Sequence, residues 1–163
     1  RVLCSMAECR GLITSNQEDV LSLIEKIGLG NGVLILCDDT RYLEKCTGVL
    51  YVSLFGSRGK LEISKSVRNY PMDLIIENGL CESVLGIMES MENCSTITLI
   101  VDIDVLDPAF GGSGTPGGLS SSEFLFVLKK IGMMRKLTQW VIAGDLENAL
   151  VKTAVDLLPI VSA

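Results

Sequence analysis

The stretch Thr96-Ile-Thr-Leu-Ile-Val-Asp-Ile-Asp-Val-Leu-Asp-Pro-Ala-Phe110, continued by Gly111-Gly-Ser-Gly-Thr-Pro-Gly-Gly-Leu119, decides how the rest of the chain is read. Its first part is a short, nearly continuous apolar run rich in β-branched residues, the pattern of a strand buried on both faces of a parallel sheet. Asp102 and Asp104 close that strand. Side chains two apart on a strand share a face, so both carboxylates are expected to project together at its carboxyl end, where open α/β sheets place ligands. Two adjacent carboxylates repel unless a cation lies between them. The Gly/Pro run that follows can be neither helix nor strand and must wrap this edge as a loop.

Outward from this strand, apolar runs alternate with helical patterns. Upstream lie an amphipathic helix over residues 80 to 92, a short strand near Met72 to Ile76, and a polar helix or loop before it. Strand Gly48 to Phe55 stops at Gly56-Ser-Arg-Gly59, and strand Gly32 to Cys37 ends at Asp38-Asp39. Earlier, Ser15-Asn-Gln-Glu18 has the spacing of a capping box. It opens a helix with Val20, Leu21, Leu23, Ile24 and Ile27 on its apolar face, stopped by Gly28. Gly11 to Thr14 is the strand before that helix. Downstream, Ser120-Ser-Ser-Glu123 is a second capping box starting a helix to about Met134, followed by strand Thr138 to Ala143. A closing helix runs from Val151 to Val161, with Pro159 weakening its last turn. The alternation predicts an α/β fold: one domain over residues 1–163, a three-layer α/β/α sandwich around a mainly parallel sheet.

Bulk properties agree. The 163 residues are 48% apolar and 21% charged, enough for a sizeable core, and they contain no apolar run long enough for a membrane span. A net charge of −6 with scattered basic residues argues against nucleic-acid binding. The six cysteines, Cys4, Cys9, Cys37, Cys46, Cys81 and Cys94, are far apart, and there is no histidine to complete a zinc site. They read as buried free thiols, which suits an intracellular, reducing compartment, cytoplasm or organelle matrix. The chain opens on Arg1 with no legible signal or transit peptide, as a processed or trimmed product would.

The run Val101-Asp-Ile-Asp-Val-Leu-Asp-Pro-Ala-Phe110 with Gly114-Thr-Pro-Gly-Gly-Leu119 resembles the late signature of the ureohydrolases, the arginase and agmatinase family. There, a strand ends in Asp-x-Asp, continues through Asp-Pro and leads into a Gly-Thr-Pro loop, which is shorter here than in the family. The resemblance implies an arginase-like fold and a pair of manganese ions bridged by the hydroxide that attacks a guanidinium carbon. Its late ligands are matched by Asp102 and Asp104. Its middle motif, Asp-Ala-His-x-Asp, is met by Asp38-Asp-Thr-Arg-Tyr42, where only Asp38 keeps its ligand type and Thr40 and Tyr42 replace a histidine and an aspartate. Its early histidine motif is met by Gln17-Glu-Asp-Val20, with Asp19 in the histidine's place. Leu54-Phe-Gly-Ser-Arg58 resembles the family's Gly-x-Arg strand end, and Asp145-Leu-Glu-Asn148 makes Glu147 the counterpart of its substrate-contacting glutamate.

These departures set the functional expectation. With Asp102, Asp104, Asp38 and Asp19 as the remaining oxygen donors, the site is expected to hold at most one manganese ion, and no side chain replaces the family's proton-shuttling histidine. The leading expectation is a degenerate arginase/agmatinase-like protein without ureohydrolase activity. It would act as a structural or binding subunit with other protein subunits, in a homo- or hetero-oligomer; a mean hydropathy of +0.43 fits burial against partners. The alternative is a divergent metal-dependent hydrolase of guanidino or amidino C–N bonds. Each residue also has a plainer reading. The aspartates end strands, Arg58 is a surface charge, Glu147 is a strand-end carboxylate, Cys37 is a buried thiol, and Gly111 to Gly118, lacking any P-loop Lys-Ser/Thr, is a structural loop.

Overall fold

A computed structural model describes residues 3–4, 10–145 and 147–159. Among the described residues, seven strands form one sheet: β1 (Leu3–Cys4), β2 (Arg10–Thr14), β3 (Gly32–Leu36), β4 (Tyr51–Phe55), β5 (Val67–Tyr70), β6 (Ile97–Asp102) and β7 (Leu137–Ala143). Their spatial order is β1-β2-β7-β6-β3-β4-β5. All neighbours from β2 to β5 run parallel, and only the two-residue β1 is antiparallel, on the β2 edge. The expected α/β sandwich with a mainly parallel sheet is therefore present. Every residue of β3 and of β6 is buried, as their unbroken apolar runs require of central strands.

Among the described residues, the helices α1 (Gln17–Ile27), α2 (Met72–Asn78), α3 (Leu80–Ser90) and α4 (Ser121–Gly132) connect strands, and α5 (Ala149–Leu157) follows β7. The chain first steps outward from β2 through β3 and β4 to β5, then returns through β6 to β7. Right-handed crossovers taken in opposite directions put their helices on opposite faces. Alternation within each strand feeds both layers. Val33 and Ile35 pack with Val20 and Ile24 of α1, whereas Leu34 and Leu36 pack with Val84, Ile87, Phe124 and Val127 of α3 and α4. Gly11 leaves room for the fully buried Trp140, since a Cβ there would meet the indole at 2.2 Å.

Several local expectations shift. Residues Met72 to Ile76 are helix and the strand lies earlier, at Val67–Tyr70. Met72 and Ile75 are buried at helical spacing, and Pro71, with no N–H to offer a ladder, sits at the helix cap. Asn16, not Ser15, caps α1, accepting the Glu18 N–H at 2.9 Å. Strand β4 starts at Tyr51, after Gly48 turns the chain with φ +87°. The last helix ends at Leu157. Leu158 is extended, as a residue before proline prefers to be, and residues 160–163 lie outside the described part. Cys37, Cys46 and Cys94 are buried free thiols as expected, but Cys81 is exposed; the side chains of Cys4 and Cys9 are outside the description.

The second capping box is present in full: Ser120 accepts the Glu123 N–H at 3.2 Å and Glu123 accepts the Ser120 N–H at 2.8 Å. Ser120→Ala is expected to lower unfolding free energy by about 1 kcal/mol. Urea denaturation measures it; a change near zero would mean that α4 is held by packing alone.

Candidate functional site

Four segments meet at the carboxyl edge of the sheet. The adjacent strands β3 and β6, paired at Leu36 and Val101, release the turns 37–42 and 103–105; β4 releases Gly56-Ser-Arg58; and the first turn of α1 brings Gln17. Asp102 is the last strand residue and is fully buried. Asp104 lies beyond the strand in the 3-10 turn Ile103–Val105, so simple strand alternation does not align the pair. The turn does. Asp102 Oδ1 accepts the Asp104 N–H at 2.9 Å, which curls Asp104 back until both Oδ2 atoms accept from Gln17 Nε2, at 3.0 and 3.2 Å.

The cation between them is a side chain of the same protein. Arg41 donates to Asp38 Oδ1 at 2.8 Å, to Asp39 Oδ1 and Oδ2 at 2.7 and 2.9 Å, and to Asp104 Oδ2 at 3.1 Å. Its Nη1 also stands 3.4 Å from Asp102 Oδ2. The planar guanidinium, with five fixed N–H donors, suits such a ring of acceptors. Tyr42 completes it by donating its hydroxyl to Asp102 Oδ2. Gln17 and Arg41, the two side chains that join the aspartates, carry no weight in a motif reading that passes from Asp38 to Thr40 and Tyr42.

Burial raises the Asp102 carboxyl above its ordinary value, an effect that Tyr42, the Asp104 amide and Arg41 only partly offset. Burial also pushes Asp104 upward, but hydrogen bonds from the Ser113 hydroxyl and amide, at 2.5 and 3.0 Å, and from Arg41 outweigh it and leave the carboxyl lowered. Asp39 is lowered in the same way, Arg41 overcoming its desolvation. Hydrogen bonding to Asp39 raises the Arg41 guanidinium further above its already high value, so it stays charged. Burial and then the charge of Asp102 raise both the Cys37 thiol and the Tyr42 phenol, and both stay protonated at neutral pH.

Arg58 is buried, not a surface charge. Its guanidinium donates to the carbonyls of Asp104 (2.8 Å), Val105 (2.9 Å) and Leu106 (3.2 Å), clamping the turn that carries Asp104. The glycine-rich loop closes over this clamp. A Cβ on Gly114 would lie 2.3 Å from Asp38 Oδ2, and one on Gly118 would lie 2.6 Å from both Arg58 Nη1 and the Val105 carbonyl. Asp107 pins the loop by accepting the Gly117 N–H at 2.6 Å.

The other sequence candidates stand apart. Asp19 is exposed, its Oδ2 facing Thr14 Oγ1 at 3.4 Å, and Gln17 reaches the cluster in its stead. Glu147 is exposed between β7 and α5, its amide donating to Asp145 at 2.9 Å. Among the described residues, the group of three metal-ligating atoms within 4.8 Å of one another is Cys37, Asp38 and Asp39, not Asp38, Asp102 and Asp104. Its thiol is held protonated and Arg41 engages both of its carboxylates. As folded, this donor set does not fit a divalent cation.

The model of the arginase family matches residues 52–146, more than half of the chain, a window that holds Arg58, Asp102, Asp104 and the glycine-rich loop but not Asp38 or Arg41. The structure is similar to that of a hypothetical agmatinase from Burkholderia thailandensis, at 17% identity and a TM-score of 0.72, covering 90% of this chain and 56% of that one. It is similar to proclavaminate amidino hydrolase from Streptomyces clavuligerus, at 20% identity and 0.70, covering 90% and 59%. Arginase from Bacillus subtilis matches at 17% and 0.71, covering 90% and 68%. Identities this low show the fold, and the chain spans little more than half the length of the first two structures. No curated protein sequence matches it significantly.

Proposed function

The chain belongs to the arginase family, and from that premise we propose that it is a non-hydrolytic member in which a tethered guanidinium neutralises the carboxylates, leaving the fold as a binding or structural subunit. One observation carries this reading: Arg41 donates at once to Asp38, Asp39 and Asp104 and lies against Asp102. A divalent cation seeking those oxygens would have to displace an arginine that is covalently fixed beside them, so the competition is intramolecular. The chain also has no histidine, so no group with an ordinary pKa near neutrality stands ready to relay protons. The buried free thiols Cys37, Cys46 and Cys94 suit the reducing compartment expected of such a subunit.

The test is titration calorimetry of Mn²⁺ into the purified protein and into Asp102→Asn/Asp104→Asn, followed by assay of urea release from arginine and agmatine with excess Mn²⁺. Neither protein is expected to give saturable heat, and no urea is expected. Saturable binding lost in the double variant, together with urea release, would overturn the proposal and establish the metal-dependent hydrolase instead.

A further inference from the structure

The face opposite Arg41 carries a second feature. Helices α3 and α4 lie side by side on the outer surface, and between them runs an apolar cavity of about 400 Å³ lined by Leu85, Met88, Phe126, Lys130 and Met133 among others. Two of these side chains face solvent heavily, Leu85 at 53% and Met133 at 70% exposure, and Phe126 and Met88 are partly exposed. Flexible, polarisable methionines bordering an open apolar groove are typical of binding surfaces.

The charges along the two walls decide the occupant. On the α3 side the exposed charged residues are all acidic: Glu82, Glu89 and, just beyond, Glu92. On the α4 side the exposed charges past its middle are all basic: Lys129, Lys130, Arg135 and Lys136. Among the described residues none of these seven charges takes part in an ion pair. Both helices lead from one sheet edge to the other in crossovers between parallel strands, so they run in the same direction. Beyond Met88, which borders both, a neighbouring cavity is lined by Glu89 and Glu92 together with Arg135 and Lys136, which sets these acidic and basic residues at the same level.

We propose that a second copy of this chain occupies the groove, related by a two-fold axis parallel to α3 and α4. That operation lays the acidic α3 of one protomer along the basic α4 of its partner at equal height, and the reverse contact follows by symmetry. Apolar surfaces meet at the centre and opposite charges at the rim, the usual anatomy of a specific interface. A two-fold axis lying in the plane of the face and perpendicular to the helices would instead set each helix antiparallel to its own copy, acidic α3 against acidic α3 and basic α4 against basic α4. The surface names a partner for the subunit reading yet does not depend on the carboxylate cluster, since a metal-dependent hydrolase would dimerise through it equally well.

Sedimentation velocity over a concentration series on the full chain tests this, with far-UV circular dichroism confirming the fold of each variant. The wild type is expected to dimerise at micromolar concentration, and Leu85→Asp and Met133→Asp, both at exposed positions, to sediment as monomers. Glu89→Lys and Lys130→Glu are each expected to raise the dimer dissociation constant by about tenfold or more, because every reversal acts twice in a symmetric interface. The combined Glu89→Lys/Lys130→Glu protein should recover most of the wild-type association. A wild type that remains monomeric at 100 micromolar or so, where specific homodimers are formed, overturns the proposal. So does a dimer unaffected by Leu85→Asp and Met133→Asp, or a charge swap that fails to rescue.

Discussion

Arg41→Met is expected to lower unfolding free energy at neutral pH by about 3 kcal/mol, the low end for breaking a buried ion pair, because the arginine keeps 25% of its side-chain exposure. The cost arises from what remains. Asp102 is fully buried, and without the guanidinium its charge is opposed by hydrogen bonds alone. The pH dependence has a definite sign. Asp102 titrates above its unfolded value, so its contribution is full below that value and is lost as pH rises through the folded one. Removing Arg41 lifts that carboxyl further and widens the window. Asp39 and Asp104 titrate below their unfolded value, so in the wild type they add stability above about pH 4 and lose it on further acidification. The two proteins therefore differ most at neutral pH and converge as pH falls. Urea unfolding followed by the fluorescence of Trp140, the single tryptophan, reads this at pH 7 and pH 5. An Arg41→Met protein as stable as wild type at pH 7 would show that the carboxylates are neutralised by something other than this arginine.

Arg58→Ala carries the second large effect, on the order of 3 kcal/mol or more. The substitution removes a donor from each of three consecutive carbonyls, those of Asp104, Val105 and Leu106, of which Val105 keeps the Leu119 N–H at 3.1 Å, and leaves a void beneath Gly114 and Gly118. Arg58→Lys should recover only part of the loss, because a single ammonium cannot span acceptors that a planar fork reaches together. The same unfolding measurement applies, and a loss under about 1 kcal/mol for the alanine variant would mean that the turn is fixed by its own Asp102 cap.

The fold was legible because its central strands are long, apolar and bounded by aspartate or glycine, and because strand and helix patterns alternate. Where apolar runs are short, the reading failed. Met72-Asp-Leu-Ile-Ile76 fits a strand or one helical turn equally well until Ser57 and Tyr70 are known to precede it in space. Neighbouring cap candidates such as Ser15 and Asn16 are equally ambiguous, since either oxygen can reach an early helix amide. At the site, the convergence of Asp102 and Asp104 was legible but its cause was not, because the second aspartate leaves the strand. Arg41 was illegible for a different reason. A long side chain on a turn can end almost anywhere within its reach, and only the placement of β6 beside β3 shows that its reach extends to carboxylates 61 and 63 residues downstream.

The order of the strands also bears on how the molecule assembles. Arg10–Thr14 lies in register with Gln139–Ala143, so the first of the parallel strands has no parallel neighbour until the last has emerged from the ribosome. Contacts this distant in sequence close slowly, since the loop entropy comes before the reward. Strands β3, β4 and β5 pair close to home and can consolidate early, whereas the edge of β2 that receives β7 stays open, an unpaired template for other chains. Synthesis thus passes through a stage in which β2, made long before its parallel neighbour, is the strand most exposed to misassociation.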